Sequence, residues 1–544
     1  MQIYKQFCNE TFNADNTLKS FELNFEDNFN FGYDVVDALA EKTPDAYAVV
    51  WTNPDGEERK FTFEEISKLS NKAVNVFKKY GITKGDRVML MLKRNYEYWY
   101  LITALHKLGA VAIPATNMLT SEDIEYRVNA VDIKAVVCTP DGEAYNDFIN
   151  VAKKDNTLNT IFVPRKNVDG AVNITDEIEA ASDILERIPT KVEDPMLIYF
   201  TSGTTGYPKA VMHNFTYPLC HIITARYWQN VVDGGLHLTV AETGWAKASW
   251  GKIYGQWLCG SAVMVYDFDN FSPTKLMQII EKYKVTTFCA PPTVYRYFAK
   301  KNMKKYDLSS LTHISTAGEP LNPSVSDFIY NETGLRIMEG FGQTETTLIL
   351  GTLVGTKAKA GSIGKPTPLY DVRLVDHDGN EVPQGETGEI VICPPKNRKQ
   401  YGIFNGYIGD EQMYQHAWRG GVYHTKDTAY MDEDGYYYYV GRADDLIKSR
   451  GFRVGPFEIE NIIMKHPAVL ECAVIGVPDE SRGQAIKAFI KLANGYTPDD
   501  HRLANEIKNF CNRKLASYKW IQYIEFTDEM PKTASGKIKR VELK

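Results

Sequence analysis

Tyr199-Phe-Thr-Ser-Gly-Thr-Thr-Gly-Tyr-Pro-Lys-Ala-Val211 is the stretch of sequence on which the fold prediction rests. The apolar residues 196–200 read as a short buried strand, and they run directly into six residues that are only Thr, Ser or Gly. Small side chains allow backbone N–H groups to turn toward an anion, and Lys209 adds a positive charge just beyond. The stretch therefore predicts a phosphate-binding loop at the end of a strand.

The spacing of this loop differs from the common nucleoside-triphosphate loop. That motif has four residues between its glycines and a lysine directly after the second glycine. Here two residues separate Gly203 from Gly206, and Pro208 precedes Lys209. A flexible polar surface loop is the alternative interpretation, because Thr, Ser and Gly are common in such loops.

Composition bounds the class of protein. The chain has 544 residues, of which 44% are hydrophobic and 24% charged, so we expect a globular protein with more than one domain. Its net charge of −7 argues against a nucleic-acid or anionic-membrane partner, since both usually need a basic surface. An anionic ligand would be held by local groups.

The cysteines and the N-terminus bear on location. Eight cysteines are scattered without a C-x-x-C pair, which predicts reduced thiols and gives no zinc site. Residues 1–5 begin no apolar signal core, and no run reaches the ~18 apolar residues of a membrane span. We therefore expect a cytoplasmic protein with no membrane span.

The order of the predicted elements indicates an α/β fold. After a polar lead-in of about 30 residues, expected to pack on the surface, apolar strands alternate with helices of 3.6-residue periodicity through residues 87–163. This alternation is typical of layers built on mainly parallel strands. Further strand-to-loop transitions at 314–320 and 339–345 end in small or polar residues, where α/β sheets usually bind ligands.

The predicted secondary structure changes from alternating strands and helices to mainly short strands past residue 362. Short β runs at 372–375, 389–392 and 436–440 alternate with Asp-Gly turns, which predicts an antiparallel piece. From Asp444 onward a separate helix and strand pattern fits a small second domain.

Taken together, these motifs resemble the AMP-forming acyl-CoA synthetases, the adenylating superfamily that also holds luciferases and peptide-synthetase adenylation domains. The resemblance runs from about Phe61 to Lys539 and points to medium-chain acyl-CoA synthetases in particular. It rests on 243–245, 290–295, 338–345 and 441–445, together with the opening stretch.

The resemblance implies a fold and a reaction. A large multi-layer α/β domain with a β-rich subdomain would span residues 1–443, and a small mobile α+β domain would span 444–544, with its hinge at Asp444. The reaction joins a carboxylic acid to ATP, giving an acyl-adenylate and pyrophosphate, and then transfers the acyl group to coenzyme A. ATP, Mg²⁺ and coenzyme A are thus the implied cofactors and co-substrates.

The resemblance also assigns the nucleotide site. The loop and its lysine would bind the phosphates, and two segments at strand ends would bind the adenine. An aspartate with a nearby arginine would bind the ribose. These residues are Thr201, Ser202, Gly203, Thr204, Thr205, Gly206, Lys209, Gly318, Glu319, Pro320, Glu339, Gly340, Phe341, Gly342, Gln343, Thr344, Asp427 and Arg442. A buried core aromatic is the alternative for Phe341.

Three residues are expected to act in catalysis. Glu345 matches the family's magnesium ligand, with a solvated helix-cap carboxylate as the alternative. Thr204 belongs to the phosphate loop, and Lys537 matches the lysine that contacts the reacting carboxylate and the α-phosphate. On sequence alone a lysine near a terminus is usually a solubility residue.

The coenzyme A path departs from the family pattern. Arg450, Gly451, Phe452 and Arg453 stand in its Ser-Gly-aromatic loop, with Arg450 where a serine is usual. Gln522 occupies the place of an expected arginine, and Lys426 replaces the glycine before Asp427. Arg450 or Arg482 is expected to compensate, or coenzyme A binds weakly.

The acyl pocket is the least specified part. Acetyl-specific relatives carry Trp-Trp before Gln-Thr-Glu, whereas Phe341-Gly342 stands here, which predicts an open floor. The expected lining is Trp245, Lys247, Trp250, Gly251, Phe341 and Gly342. The tryptophans limit the acid to a short- to medium-chain, branched or aryl group, and a core position is the alternative for both.

Two other functions stay open. An adenylation enzyme that loads a carrier protein would release pyrophosphate but not use free coenzyme A. A non-catalytic relative would bind a nucleotide as a sensor, although Lys209, Glu345, Asp427 and Lys537 argue against it. The sequence does not distinguish a monomer from a homodimer.

Overall fold

The computed structural model describes residues 2–140, 144–154, 157–201, 208–319, 321–396, 398–449, 452–479, 482–498, 501–532 and 538–543. The strands are β1 (Cys8–Phe12), β2 (Leu18–Leu23), β3 (Tyr47–Thr52), β4 (Glu58–Thr62), β5 (Arg87–Met91), β6 (Val111–Pro114), β7 (Ile133–Cys138), β8 (Thr160–Val163), β9 (Val172–Asn173), β10 (Pro195–Thr201), β11 (Lys209–Asn214), β12 (Leu236–Thr239), β13 (Ala262–Tyr266), β14 (Thr287–Cys289), β15 (His313–Ala317), β16 (Ile337–Phe341), β17 (Leu350–Gly351), β18 (Lys365–Pro366), β19 (Asp371–Val375), β20 (Gly388–Cys393), β21 (Gly406–Tyr407), β22 (Tyr423–Met431), β23 (Tyr437–Arg442), β24 (Ile447–Ser449), β25 (Phe452–Val454), β26 (Val469–Asp479), β27 (Gly483–Leu492) and β28 (Ile521–Phe526).

The α-helices are α1 (Ala38–Lys42), α2 (Phe63–Lys79), α3 (Glu97–Leu108), α4 (Ser121–Ala130), α5 (Ala144–Lys154), α6 (Ile174–Ala180), α7 (Tyr217–Ile222), α8 (Ala246–Gly251), α9 (Tyr254–Leu258), α10 (Pro273–Tyr283), α11 (Pro292–Phe298), α12 (Pro323–Thr333), α13 (Glu411–Ala417), α14 (Pro456–Ile463) and α15 (His501–Asn512). Short π-helices span Gly32–Asp37 and Ile223–Trp228. Tight 3₁₀ turns span Ile3–Gln6, Met303–Lys305, Arg419–Gly421, Ser517–Lys519 and Arg540–Leu543.

The chain forms two compact units. Unit 1 comprises residues 1–371 and 394–416, and unit 2 comprises residues 372–393 and 417–544. The domain boundary expected before Asp444 lies within unit 2. The hinge at Asp444, about which residues 444–544 would move, stays a prediction.

Two large mixed sheets form unit 1. One has the order β21-β11-β10-β6-β5-β7-β8-β9, and the other β18-β17-β16-β15-β14-β12-β13-β3-β4. Their central strands pair in parallel and are almost wholly apolar, as strands covered by helices on both faces must be. The predicted α/β class is confirmed.

The long helix α2 illustrates how local sequence sets an element. The Thr62 hydroxyl accepts from the Glu65 N–H at 3.2 Å, while the Glu65 carboxylate accepts from the Thr62 N–H at 2.8 Å. This reciprocal capping box satisfies two N–H groups that lack intrahelical partners and starts the helix at residue 63.

The first 30 residues contain a hairpin that the sequence analysis did not predict. β1 and β2 form an antiparallel hairpin, and Ile3, Tyr4, Phe21 and Phe29 are buried. The intervening Asn and Asp residues lower the average hydropathy, but the apolar side chains fall on the buried positions. Farther along the chain, the short helices α8 and α9 are separated by a break at Ile253, which has an extended φ of −158°.

Unit 2 contains two sheets. Strands β19-β20-β22-β23 form an antiparallel sheet, as predicted for the β-rich piece. The second sheet has the order β25-β24-β27-β26, with β28 parallel to β27, and helices α14 and α15 contribute Ile459, Ile463 and Ile507 to its core. Among the described residues of the whole chain, no helix has the length and apolar character required to cross a membrane.

Candidate active site

The predicted phosphate loop connects two adjacent antiparallel strands. β10 ends at Thr201 and β11 begins at Lys209, and these two residues are register partners. Residues 202–207, including Thr204, lie outside the described residues. The structure describes the two ends of this loop, Thr201 and Lys209, and both are hydrogen-bonded into one sheet.

Glu345 lies near the Lys209 end of this loop, and Tyr407 lies between the two residues. The Tyr407 hydroxyl donates to Glu345 Oε1 at 2.9 Å, and Lys209 Nζ lies 5.4 Å from the centre of the Tyr407 ring. β21, which contains Tyr407, pairs with β11, and the Phe404 N–H donates to the Glu345 carbonyl at 2.7 Å. The sheet edge therefore brings the lysine and the carboxylate together around one tyrosine ring.

A buried histidine supports the neighbouring turn. His213 Nε2 donates to the Thr344 carbonyl at 2.8 Å, which identifies Nε2 as the protonated nitrogen. Burial lowers the pKa of His213 to about 4, so the imidazole is neutral near pH 7. The 343–345 turn is also closed by the Gln343 N–H, which donates to the Thr346 hydroxyl at 3.0 Å.

The first predicted adenine segment follows β15. Gly318 has a φ of +101°, a conformation that glycine adopts without steric cost. The next residue, Glu319, accepts from Arg296 Nη2 at 3.1 Å and from the Thr293 hydroxyl at 3.1 Å. These contacts fix its side chain against α11, and Pro320 lies outside the described residues.

The second adenine segment is the end of β16. Glu339 and Gly340 pair with Thr316 and Ala317 of β15, so both segments meet at the carboxyl ends of two adjacent parallel strands. Glu339 is 8% exposed, and its burial raises the pKa of the carboxyl to about 8. The side chain is therefore largely protonated at neutral pH, which sequence reasoning did not anticipate.

Helix α8 carries three of the six predicted acyl-pocket residues. Lys247 Nζ donates to the Ala317 carbonyl at 2.7 Å, so α8 lies against the end of β15. Trp250 is 6% exposed and Trp245 half-buried. A Cβ at Gly251 would approach Thr239 Oγ1 to 1.9 Å, so this glycine allows α8 to pack on β12.

The predicted open floor at Gly342 is filled from another element. A Cβ placed on Gly342 would lie 2.5 Å from Cη2 of Trp250, and one on Gly340 would lie 2.7 Å from Cε2 of Trp228. The two indoles thus occupy the space beside the glycines. The absence of a side chain at position 342 therefore does not by itself give an open pocket.

The predicted ribose group lies in unit 2. Asp427, 5% exposed, accepts from the Tyr439 hydroxyl at 3.0 Å, and Arg442 Nη1 lies 3.6 Å from its other oxygen. Asp427 and Arg442 are register partners on β22 and β23. Arg442 also lies 3.9 Å from Asp444, the predicted hinge.

Lys426, at the departure from the family's glycine, has a φ of +60°. Its N–H donates to Glu389 Oε1 at 2.9 Å, and its carbonyl accepts from the Ala443 N–H at 2.8 Å. A left-handed backbone is unfavourable for a residue with a Cβ, so the strand imposes at this position the conformation that a glycine would take freely.

Some predicted residues receive no structural account. Lys537, Arg450 and Gly451 lie outside the described residues, as do the side chains of Phe452 and Arg453. Arg482 is half-buried at the start of β27, where its N–H donates to the Asp479 carbonyl at 3.4 Å. Gln522 accepts from the Ile486 N–H at 2.7 Å and so has a structural contact of its own.

Residues 36–408 match the model of the AMP-binding enzyme family, and residues 458–537 match the AMP-binding enzyme C-terminal domain. The chain belongs to the AMP-binding enzyme family. The resemblance inferred from the motifs is confirmed.

Individual relatives narrow the class. The chain is 38% identical over 540 residues to the human protein named "Acyl-coenzyme A synthetase ACSM3, mitochondrial", covering 98% of this chain and 92% of that protein. It is 39% identical over 521 residues to "4-hydroxybutyrate--CoA ligase 1" of Metallosphaera sedula, covering 95% and 90%. The predicted enzyme class, an AMP-forming ligase of the acyl-CoA synthetase type, is confirmed.

A solved structure supports the fold over the same length. The anthranilate CoA ligase AuaEII in complex with anthranoyl-AMP superposes with a TM-score of 0.87 at 28% identity, covering 95% of this chain and 97% of that one.

Proposed function

We propose that this AMP-binding enzyme activates a short- to medium-chain carboxylic acid with ATP and transfers the acyl group to coenzyme A. The observation that carries the proposal is the convergence of Lys209, Tyr407 and Glu345 where β10 and β11 flank the phosphate loop. An acyl-CoA synthetase and a hydroxybutyrate ligase among the relatives support the same substrate class.

The proposed site residues have different roles in the first step, the formation of the acyl-adenylate. A carboxylate that attacks a phosphate brings like charges together, so the site needs cations and donors aimed at the phosphates. Lys209 and the loop 201–206 would bind the β- and γ-phosphates and stabilise the leaving pyrophosphate. Lys537 would orient the reacting carboxylate against the α-phosphate.

Mg²⁺ fits the donor set at Glu345. A carboxylate whose one oxygen is oriented by Tyr407 is a hard oxygen ligand of the kind that Mg²⁺ prefers. When bound, Mg²⁺ would neutralise phosphate charge. Tyr407 would hold the Glu345 carboxylate in one orientation, which lowers the entropy lost on binding.

Two sets of residues are proposed to bind the adenosine part of ATP. Gly318 and the end of β16 would hold the adenine, and Asp427 would accept both ribose hydroxyls, a task suited to its two oxygens. A protonated Glu339 carries no charge to repel the nucleotide. The second step would use Arg482 and the 449–453 segment for coenzyme A.

A screen of carboxylic acids for ATP-dependent pyrophosphate release, with and without coenzyme A, tests the function. We expect release with at least one acid of two to eight carbons, and acyl-CoA formation when coenzyme A is present. Release without acyl-CoA formation would instead indicate a carrier-protein acceptor, and no release with any acid would contradict the proposal.

For location we propose the cytoplasm, on the basis of the thiols. Seven of the eight cysteines are buried free thiols, as expected in a reducing compartment. Cell fractionation with marker proteins tests this, and recovery with an organelle fraction would contradict it.

A further inference from the structure

One tyrosine side chain lies between the proposed ribose carboxylate and helix α14. The Tyr439 hydroxyl donates to Asp427 Oδ1 at 3.0 Å. The ring of the same residue packs against the ring of Phe457, with 6.2 Å between the ring centres and 67° between the planes, an edge-to-face arrangement that aromatic pairs favour. Tyr439 therefore contacts one residue before the predicted hinge at Asp444 and one residue after it.

The backbone at the start of α14 also lies directly against β23. A Cβ at Gly455 would lie 2.5 Å from both the carbonyl oxygen and Cγ1 of Val440. Gly455 has an ordinary φ of −74°, so the glycine is needed here for the close approach of the two segments. Likewise, Cδ of Pro456 lies 3.5 Å from the position that a Cβ would take at Gly441. We call the packing of residues 455–457 on residues 439–441 the α14–β23 contact.

Arg540 joins three parts of the chain that follow the predicted hinge. Its Nη2 lies 2.6 Å from Glu460 Oε1 on α14, and its Nη1 lies 3.7 Å from Asp445 Oδ2. All three side chains are less than a quarter exposed, so salt screens these ion pairs only in part. The residue after the predicted hinge, α14 and the C-terminal 3₁₀ turn are thus held together, and they would leave β23 as one body if the α14–β23 contact broke.

We infer that Tyr439 couples nucleotide binding to the α14–β23 contact, because its hydroxyl orients the proposed ribose carboxylate while its ring packs on Phe457. The inference rests on the proposed function, in which Asp427 binds the ribose hydroxyls. Packing against Phe457 restricts the Tyr439 ring, so less rotational freedom is lost when the hydroxyl holds Asp427 for the nucleotide. Such coupling is reciprocal: the contact strengthens nucleotide binding by the same factor by which the nucleotide strengthens the contact.

Phe457→Leu should weaken AMP binding although Phe457 is no part of the proposed nucleotide site. Leucine keeps an apolar side chain at this position but removes the aromatic edge. An edge-to-face pair contributes about two- to tenfold to an equilibrium constant, so we expect the Kd for AMP to rise by about threefold, measured by calorimetry. Gly455→Ala is a second variant, since its methyl group must displace α14 from Val440, and it should raise this Kd as well.

A double-mutant cycle distinguishes coupling from general damage to the protein. Tyr439→Phe keeps a ring against Phe457 but removes the hydroxyl that reaches Asp427. In that background Phe457→Leu should have no further effect on the Kd for AMP, because the connection between the two sites is already lost. Additive effects of the two substitutions would overturn the inference.

Phe510→Leu is the matched control. Phe510 lies on α15, also within residues 444–544, where its ring packs edge-on against that of His466 at 5.1 Å between the ring centres. Its replacement should lower the free energy of unfolding without changing the Kd for AMP. A rise in Kd equal to that of Phe457→Leu would show that the effect is not specific to the α14–β23 contact and would overturn the inference.

Hydrogen–deuterium exchange gives a readout independent of turnover. In the wild type, saturating AMP should slow exchange of the α14 amides at residues 457–463 by about threefold, whereas in AMP-saturated Tyr439→Phe it should leave their exchange unchanged. Equal slowing in the two proteins would overturn the inference and leave the proposed function intact. A wild type that binds neither ATP nor AMP would overturn the proposed function, and this inference with it.

Discussion

The hydroxyl of Tyr407 donates a hydrogen bond of 2.9 Å to the carboxylate of Glu345, although 62 residues separate them in the chain. The two meet because β21 adds to the edge of β11 and places Tyr407 beside Lys209. A cation, an aromatic ring and an oriented carboxylate thus share one sheet edge.

Removing this hydroxyl should weaken magnesium-dependent catalysis. In Tyr407→Phe the Glu345 carboxylate loses a donor that orients it, and a hydrogen bond to a charged group contributes about 1.5–3 kcal/mol. We expect kcat/KM for Mg-ATP to fall by roughly tenfold, measured by pyrophosphate release over a series of Mg²⁺ concentrations.

Tyr401→Phe serves as the control for that experiment. Tyr401 belongs to the same chain segment but packs edge-on against Phe25. Equal losses in the two variants would contradict a specific role for Tyr407.

The carboxylate of Asp427, which we propose to bind the ribose, should depend on Tyr439 for its orientation. Its hydroxyl donates to Asp427 at 3.0 Å, so Tyr439→Phe leaves the carboxylate less well oriented. We expect ATP to bind about three- to tenfold more weakly, as measured by calorimetry. The adjacent Tyr438→Phe removes a hydroxyl that contacts Asp432 instead, and comparable weakening there would argue against this role.

The left-handed backbone of Lys426 should lower the stability of the folded protein. Lys426 has a φ of +60°, where a Cβ is unfavourable and glycine is not. Lys426→Gly should raise the free energy of unfolding by about 0.5–1 kcal/mol, measured by urea denaturation. Lys426→Ala removes the charge but keeps the Cβ, so identical effects of the two substitutions would contradict the explanation.

Glu339 predicts a pH dependence of stability. Its carboxyl has a pKa of about 8 in the folded protein, against an ordinary value of 4.5. Between these values the unfolded chain releases a proton that the folded chain keeps, so rising pH favours unfolding. The contribution is fully present below pH 4.5 and is lost as pH rises through about 8.

Denaturation at pH 5–9 measures this effect. One proton corresponds to a slope of at most about 1.4 kcal/mol per pH unit. Glu339→Gln cannot ionise, so its free energy of unfolding should decrease less than that of the wild type over this range. Parallel curves for the two proteins would show that Glu339 does not titrate in this way.

The role proposed for Lys537 should distinguish the two half-reactions. Because its family role lies in adenylation alone, Lys537→Ala should abolish pyrophosphate release with the acid but retain thioester formation from supplied acyl-adenylate. Equal loss of both activities would contradict that assignment.

Many strands and helices could be predicted because each depends on local pattern, and the nucleotide-site residues stay predictions. Apolar runs such as 196–200 identify buried strands, and strand ends identify where ligands bind. Tyr407 and Tyr439 could not be found in this way. A single tyrosine carries no motif, and its role depends on which strands pair.

The acyl pocket shows the same limit more sharply. A glycine at position 342 indicates empty space only if nothing fills it from elsewhere, and Trp250 does so from α8, 92 residues earlier in the chain. Likewise, the burial that raises the pKa of Glu339 arises from packing between sheets and helices, which composition does not report.

The pairing of Thr201 with Lys209 has a consequence for how this chain can change over evolutionary time. Successive residues of β11 point to opposite sides of the sheet, and its partners β10 and β21 fix that alternation from both edges. A single codon inserted within β11 would reverse the side of every residue before or after it. The strand that follows the phosphate loop must therefore conserve its length.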